Sequence, residues 1–297
     1  MDKGKVLISG ASGLIGGAVS SYLTAQGYTV SRLVRGETSH AGDIVWDPSR
    51  PIDPEKVSGF HAVIHLAGET IFGVWTREKK QRILKSRKAG TRNLAEGLAQ
   101  TQQKPQVFIC ASAIGFYGNR GDEILDEGSS SGTGFLAEVC REWEAATTSA
   151  GNAGIRTVNI RTGIVLSSTG GALKKMLPAF RMGFGGKLGS GKQWWSWIHI
   201  QDMTRAIEHI LLHASLFGPI NLVAPAPARN AEFTATLAKT LARPAFFHVP
   251  EFALRLVLGR SANELLLASQ HVQPAKLNAD GYSFQFPQLQ YALENLV

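Results

Sequence analysis

The chain has 297 residues, of which 44% are hydrophobic and 18% charged, and its formal net charge at pH 7 is +8. Such a chain can bury a large core in one α/β domain or in two lobes, and its positive charge favours anionic ligands in general. Two cysteines provide no disulfide framework, and no apolar run reaches the roughly 18 residues of a membrane span, so we expect no membrane association.

The first predicted element is an apolar strand at 5–9, which leaves no room for a signal peptide and favours a cytoplasmic protein. A turn with Gly10, Gly13 and Gly16 follows and leads into an amphipathic helix. These glycines permit a tight turn, a close approach of backbone N–H groups to a pyrophosphate, and packing of helix against strand. Because the helix N-terminus adds unpaired amides and a positive dipole end, the segment predicts a dinucleotide site. The contacts predicted there are Gly10, Ser12, Gly13, Leu14, Ile15 and Gly16.

Further strand-like runs alternate with helical patterns along the first two thirds of the chain. They cover residues 29–34, 62–66, 106–111 and 155–160. The alternation predicts parallel βαβ units, and therefore an α/β fold with a doubly wound, Rossmann-like sheet. Helical patterns dominate after about 225, which predicts a smaller, mainly helical C-terminal lobe beside a cleft. We predict a nucleotide-binding domain at 1–170, completed by about 195–224, and a substrate lobe formed by 171–194 and 225–297.

The strand at 29–34 indicates which nicotinamide cofactor the turn would hold. NAD-binding folds place a carboxylate at the end of this strand to bind the ribose 2′-OH, and here the strand carries no acid. Arg35 follows it, where a guanidinium could bind a 2′-phosphate through two hydrogen bonds or could simply be solvated. Arg32 is a weaker second candidate. The sequence therefore favours NADP(H) over NAD(H).

The spacing Gly-x-x-Gly-x-x-Gly and a series of ordered landmarks resemble the atypical, extended branch of the short-chain dehydrogenase/reductase superfamily. The resemblance is to its NAD(P)-dependent epimerase-like family, which ends in a small domain of unknown function. The landmarks are Trp46-Asp47, Leu66-Ala67-Gly68-Glu69, Ser86-Arg87, the run 161–166, Gly189-Ser190-Gly191, the run 197–202 and the region after Pro250. The resemblance covers nearly the whole chain and implies NADP(H) binding in a cleft between two lobes, without a particular substrate.

The resemblance also implies further cofactor contacts. Asp47 would meet the adenine amino group, although an acid in this place could equally open an Asp-Pro turn. Arg87 could reach the cofactor or an anionic substrate, or could lie on a solvated helix face. His65 is predicted to be a buried, hydrogen-bonded histidine. The remaining predicted cofactor contacts are Leu66, Ala67, Gly68, Arg161 and Gly163.

The segment 107–118 resembles the part of the superfamily enzymes that carries the catalytic Ser or Thr. In those enzymes the hydroxyl orients the substrate, while the Tyr of a Tyr-x-x-x-Lys pair transfers the proton. That pair is absent here, because Phe135 stands at the Tyr position and Val139 at the Lys position, and Ala113 fills the usual hydroxyl position. The predicted catalytic residues are Ser112 and Tyr117, and the predicted substrate residues are Glu69 and His199. We expect no metal site, and we predict Asp202 as a helix cap.

Two hypotheses about function stay open. The first is an NADP(H)-dependent oxidoreductase or epimerase-like enzyme acting on a small polar substrate, for instance a sugar. The second is a cofactor-binding sensor or scaffold that has lost catalysis and acts through protein partners, which the absent Tyr-Lys pair suggests. The basic segment 77–88 is expected to be a solvated helix face and not a nucleic-acid site. We expect a monomer or a homodimer.

Overall fold

The computed structural model describes residues 3–38, 40 and 42–297. Its strands are β1 (Lys5–Ser9), β2 (Thr29–Val34), β3 (Ile44–Val45), β4 (Ala62–His65), β5 (Val107–Ala113), β6 (Ile124–Leu125), β7 (Arg156–Thr162), β8 (Ile164–Leu166), β9 (Gly186–Leu188), β10 (Trp194–Trp195), β11 (Trp197–His199), β12 (Gly218–Leu222), β13 (Ala228–Arg229), β14 (Phe247–Val249) and β15 (His271–Val272). Its helices are α1 (Leu14–Ala25), α2 (Arg77–Gln100), α3 (Phe135–Ala145), α4 (Thr148–Asn152), α5 (Gly171–Arg181), α6 (Ile200–Leu212), α7 (Asn230–Thr240), α8 (Glu251–Leu258), α9 (Ser261–Leu265), α10 (Ala275–Ala279) and α11 (Leu289–Leu296).

A parallel sheet of seven strands forms the centre, in the order β12-β7-β5-β4-β1-β2-β3. The chain builds outward from β1 to β3, then returns to the other side of β1 to add β4 and the later strands. The strand order therefore reverses between β1 and β4, and open α/β sheets bind ligands at the carboxyl ends of the strands beside such a reversal. The predicted doubly wound sheet is confirmed.

Helices cover the sheet on both faces, as continuous apolar strands require. In β1, Val6 and Ile8 belong to the core cluster that includes residues of α1 and α6, whereas Leu7 belongs to the cluster that includes residues of α2. A third cluster joins apolar residues of α5, α7 and α11. The proposed division into a cofactor domain and a substrate lobe stays a prediction. None of the described helices combines the length and the apolar character that a membrane crossing needs.

The start of α6 differs from the prediction, because His199 and not Asp202 caps it. The Nδ1 atom of His199 accepts a hydrogen bond from the Gln201 amide at 3.1 Å. The buried carboxylate of Asp202 instead accepts hydrogen bonds from the amides of Gln285, at 2.7 Å, and Phe286, at 2.8 Å. Asp202 thus fastens the C-terminal segment to α6, a role that its position near a helix start did not reveal.

Candidate functional site

The glycine turn after β1 is as tight as the spacing predicts. Gly10 has a φ of 73°, and a Cβ atom there would lie 2.8 Å from the Ala67 nitrogen at the end of β4. A Cβ atom on Gly16 would collide with the Gly10 carbonyl oxygen. The Gly13 amide donates to that same oxygen at 3.0 Å. The helix therefore begins directly against the strand ends, and a larger side chain at Gly10 or Gly16 would push the elements apart.

The N-terminus of α1 is open to a ligand. Gly13 is its cap residue, so no side chain binds the first amides, and the first turn contains no acid. Ser12 and Gly13 are exposed, and Leu14 and Ile15 are half-buried. The first amides of a helix lack partners within the helix and form a ready site for an anion. These residues could hold the pyrophosphate of a dinucleotide.

The two arginines near the end of β2 differ in their partners. Arg32 binds the Asp43 carboxylate through two hydrogen bonds, at 2.8 and 2.6 Å, and this contact holds the pKa of Asp43 below its usual value. Arg35 is exposed, and among the described residues it makes no hydrogen bond or ion pair. Since Arg32 already has its anion, Arg35 is the cation at this strand end that could bind a phosphate.

Asp47 opens a turn, which is one of the two interpretations of this residue; the other is a contact with adenine. Its Oδ1 atom accepts hydrogen bonds from the Ser49 amide, at 2.9 Å, and from the Ser49 hydroxyl, at 2.7 Å. The side chain is 53% exposed, and these bonds lower the pKa of its carboxyl. The turn leaves the carboxylate at the surface, so the adenine contact stays a prediction.

Arg87 turns inward from α2, although most of the basic residues at 77–88 are exposed. Its Nη1 atom donates to the Glu69 carbonyl oxygen at 2.9 Å, and its guanidinium carbon lies 4.7 Å from the centre of the Trp143 ring. A Cβ atom on Gly68 would lie 3.2 Å from the same carbon, so the guanidinium packs close to the end of β4. The surrounding protein desolvates Arg87 and lowers its pKa.

No carboxylate among the described residues neutralises Arg87. The nearby Glu69 carboxylate binds Lys79 Nζ at 2.5 Å, and only its carbonyl oxygen reaches Arg87. A partly buried cation without a counter-ion costs free energy unless an anion or a strong acceptor satisfies it. Arg87 and the predicted substrate residue Glu69 are thus neighbours, and Arg87 could hold an anionic group of a ligand.

Arg87 lies in the wall of a cavity of about 280 Å³ between the strand ends and the C-terminal segment. Ile15, next to the glycine turn, and Gly163 also line it, which connects the cavity to the open end of α1. The cavity wall is largely apolar. It includes Val139, which stands where the Tyr-x-x-x-Lys pair of the superfamily has its Lys. The large apolar side chains around it include Leu136, Val139, Trp143, Ile164, Trp194 and Trp195.

Other polar groups of the cavity wall already have partners. The Glu264 carboxylate accepts hydrogen bonds from the amides of Phe135, at 3.2 Å, and Leu136, at 2.7 Å, and so caps α3. The Gln270 side-chain amide donates to a backbone carbonyl at 3.0 Å. Burial raises the pKa of the Cys140 thiol to about 11, so this group is uncharged at neutral pH. Sequence reasoning missed Glu264, because it lies 128 residues beyond Leu136 and no local motif marks it.

Ser112 is not part of the cavity wall, although its partner lies on α3, which contributes to that wall. Its hydroxyl donates to Glu144 Oε1 at 2.7 Å. Arg161 binds both oxygens of the same carboxylate, each at 2.9 Å, and its side chain is only 4% exposed. Ala113, the next residue of β5, lines the cavity instead. The structure therefore places Ser112 and Arg161 in a buried ion-pair network.

Tyr117 belongs to the same network. Its hydroxyl accepts a hydrogen bond from Arg161 at 3.0 Å and lies 2.8 Å from the Asn221 Oδ1 atom and from the Asp126 carbonyl oxygen. The side chain is fully buried, and burial raises its pKa, so the phenol is protonated at neutral pH. Neither predicted catalytic hydroxyl lines the cavity as the structure describes it.

Of two further predicted site residues, Gly163 lines the cavity and His199 does not. A Cβ atom on Gly163 would lie 2.5 Å from the Ser196 carbonyl oxygen, so glycine permits the close packing of β8 on β11. His199 is fully buried with its ring centre 3.9 Å from that of Phe286, and desolvation lowers its pKa to about 4.

Comparisons with protein families agree with this geometry. The model of the NAD dependent epimerase/dehydratase family matches residues 6–222, and that of a domain of unknown function, DUF1731, matches residues 249–296. Epimerase family protein ML0860 of Mycobacterium leprae is 40% identical over 284 residues, which cover 95% of this chain and 92% of that protein. Epimerase family protein SDR39U1 of Homo sapiens is 34% identical, with 99% of each chain covered. The family predicted from the glycine turn and the landmarks is confirmed.

Solved structures give the same result. Human SDR39U1 (isoform 2), crystallised with NADPH, superimposes with a TM-score of 0.91 at 34% identity, covering 98% of each chain. A nucleoside-diphosphate sugar epimerase from Corynebacterium glutamicum has a TM-score of 0.81 at 40% identity, covering 97% of this chain and 57% of that one. UDP-glucuronic acid 4-epimerase from Bacillus cereus, at 18% identity and a TM-score of 0.75, shares the fold.

Proposed function

The chain belongs to the NAD dependent epimerase/dehydratase family, and from its site we propose that it is an NADP(H)-dependent oxidoreductase or epimerase-like enzyme. One observation carries this proposal. The uncapped N-terminus of α1 lies at the glycine turn, and the exposed Arg35 follows a strand without an acid. This arrangement suits a pyrophosphate and a 2′-phosphate. The human relative crystallised with NADPH supports the same cofactor.

Each part of the cofactor has its own predicted binding residues. The amides from Ser12 to Gly16 would bind the pyrophosphate, Arg35 the 2′-phosphate, and Asp47 the adenine. The strand end 66–68, together with Gly163, is the predicted surface for the remaining part. Arg161, which is buried and bound to Glu144, would reach the cofactor only if that ion pair opened. When bound, the nicotinamide supplies or accepts the hydride.

The chain's own contribution is orientation and the exclusion of water. The apolar cavity wall displaces solvent from the reacting groups, which strengthens every electrostatic contact inside it. Arg87 would bind an anionic group there, and we assign it to the cofactor. The C-terminal segment contributes Glu264 and Gln270 to the wall, which supports its assignment as a substrate lobe. The largely apolar wall favours a substrate with an apolar part beside its polar group.

Proton transfer by Ser112 or Tyr117 stays a proposal with a clear structural requirement. Both hydroxyls are bound within the Glu144–Arg161 network, so either would need that network to open before it could reach a substrate. The second hypothesis, a sensor or scaffold that binds NADP(H) without turnover, is favoured by this arrangement and by the apolar side chains at Phe135 and Val139. Turnover of bound NADPH with any substrate would decide against it.

The proposal is tested by fluorescence titration of NADPH and NADH. Loss of a charged hydrogen bond costs about 1.5–3 kcal/mol, so Arg35→Ala should weaken NADPH binding roughly ten- to a hundredfold and leave NADH binding unchanged. Arg92→Ala, which removes an exposed arginine from α2, is the matched control and should bind as the wild type does. If the wild-type protein binds neither cofactor, the enzyme proposal fails.

A further inference from the structure

Two histidines and an aspartate come together at the C-terminal end of α6, outside the cavity wall. His209 and His213 are four residues apart, so they share one face of the helix. Asp280 follows α10 and meets them there, with its Oδ2 atom 2.8 Å from His209 Nε2. One ligand atom from each of the three residues lies within 4.8 Å of the others. The two imidazole rings stack with their centres 3.7 Å apart.

Neighbouring hydrogen bonds orient these groups. His213 Nδ1 lies 2.8 Å from the carbonyl oxygen of His209, and since a carbonyl only accepts, this nitrogen carries the proton. The Nε2 atom of His213 therefore keeps a free lone pair. The Ser215 hydroxyl donates to Asp280 Oδ1 at 2.5 Å, which leaves Oδ2 directed at the histidines. Contacts of this kind orient the ligands in known metal sites.

The donor atoms and their exposure also suit a cation. Imidazole nitrogens and carboxylate oxygens are ligands that zinc binds in proteins. The His209 and Asp280 side chains are 16% and 14% exposed, so the cluster is partly enclosed and still reachable from solvent.

We propose that His209, His213 and Asp280 bind a divalent transition-metal ion, for which zinc is the best match to two imidazoles and one carboxylate. The ion would replace the hydrogen bond between His209 and Asp280, and water would complete its coordination. His209 and His213 lie in the segment matched by the epimerase model, and Asp280 lies in the segment matched by DUF1731. The ion would therefore link the two segments and stabilise their junction. Sequence reasoning predicted no metal site, and no local pattern connects Asp280 with His209, from which it is 71 residues distant.

The test uses the full-length protein without an affinity tag, first stripped with a chelator. Calorimetric titration with zinc chloride should give one ion per chain, and cobalt(II) should give the visible absorption of a site with nitrogen and oxygen ligands. At a hundredfold excess over its dissociation constant, zinc should raise the melting temperature by about 5 °C. His213→Gln and Asp280→Asn should each weaken zinc binding at least tenfold and abolish this rise. His40→Gln removes an exposed histidine from the loop before β3 and should bind as the wild type does.

Two results would overturn the proposal. One is the absence of stoichiometric binding of zinc or cobalt to the wild type, and the other is binding that both Asp280→Asn and His213→Gln retain. Melting in the presence of chelator shows that each variant folds before its binding is measured, and Asp280→Asn retains the shape of the side chain if the histidine variant is unstable. NADPH affinity should be the same with and without zinc, which keeps this site distinct from the cofactor site.

Discussion

The buried ion pair between Glu144 and Arg161 allows a quantitative test of the network around Ser112. Glu144→Ala would leave the Arg161 guanidinium, 4% exposed, without its carboxylate and would free the Ser112 hydroxyl as well. Removing one partner of a buried ion pair costs about 3–5 kcal/mol, because an uncompensated charge remains in the protein. Glu144→Gln keeps an acceptor oxygen, so it should lower the unfolding free energy less, by about 1.5–3 kcal/mol, which is what hydrogen bonds to a charged group contribute.

The assay is urea unfolding at pH 7, followed by circular dichroism, with the unfolding free energy extrapolated to water. Glu142→Gln is the matched control. Glu142 lies two residues before Glu144 on α3, and its partner Lys88 is 46% exposed. Exposed pairs contribute about 0–1 kcal/mol, so this variant should stay close to the wild type. If Glu144→Ala and Glu142→Gln lower the unfolding free energy by the same small amount, the network does not stabilise the fold. A role of Ser112 and Glu144 in a reaction would then be the better explanation of their contact.

Two further predictions follow from close packing and from burial. Gly16→Ala should abolish NADPH binding or unfold the turn, because its Cβ atom would collide with the Gly10 carbonyl oxygen. Gly17→Ala is the control, since its Cβ atom would lie 3.4 Å from the Ala11 oxygen, and it should bind NADPH normally in the same titration. The unfolding free energy should fall as the pH drops from about 6.5 toward 4, because burial lowers the pKa of His199 to about 4 and the unfolded chain then binds a proton that the folded chain does not. His199→Asn, which keeps a cap acceptor, should make the unfolding free energy less dependent on pH over this window; an unchanged pH dependence in urea unfolding at pH 5 and 7 would contradict the assignment.

The elements that sequence reasoning predicted well depend on local patterns. The runs at 5–9 and 29–34 became β1 and β2 with the predicted bounds. β1 is readable because it is a buried apolar run beside a glycine turn that needs only neighbouring residues, and β2 because it alternates with the helix before it. His65 is buried and hydrogen-bonded to Ser9 at 2.6 Å, as predicted. These features are readable because their physical cause lies within a few residues, or on the adjacent strand.

The features that sequence reasoning missed depend on contacts between distant segments. A capping rule assigned Asp202 to the start of α6, but its carboxylate binds amides 83 and 84 residues further along the chain. Tyr117 meets Arg161 across 44 residues, and Ser112 meets Glu144 across 32. A hydroxyl that resembles a catalytic group in a local motif can therefore be held by a partner that no local pattern shows.

Arg87 decides how the cavity relates to the cofactor. Its guanidinium is partly buried without a carboxylate partner among the described residues, so a bound anion would recover the free energy of its desolvation. If that anion belongs to the cofactor, Arg87→Met should weaken NADPH and NADH binding equally, about tenfold, because the contact does not involve the 2′-phosphate. This pattern differs from that of Arg35→Ala, which should affect NADPH alone, and the exposed Arg82→Met serves as the control. Unchanged affinity for both cofactors in Arg87→Met would refute the cofactor contact and would leave the guanidinium with its contacts to the Glu69 carbonyl oxygen and the Trp143 ring, or with a ligand other than the cofactor.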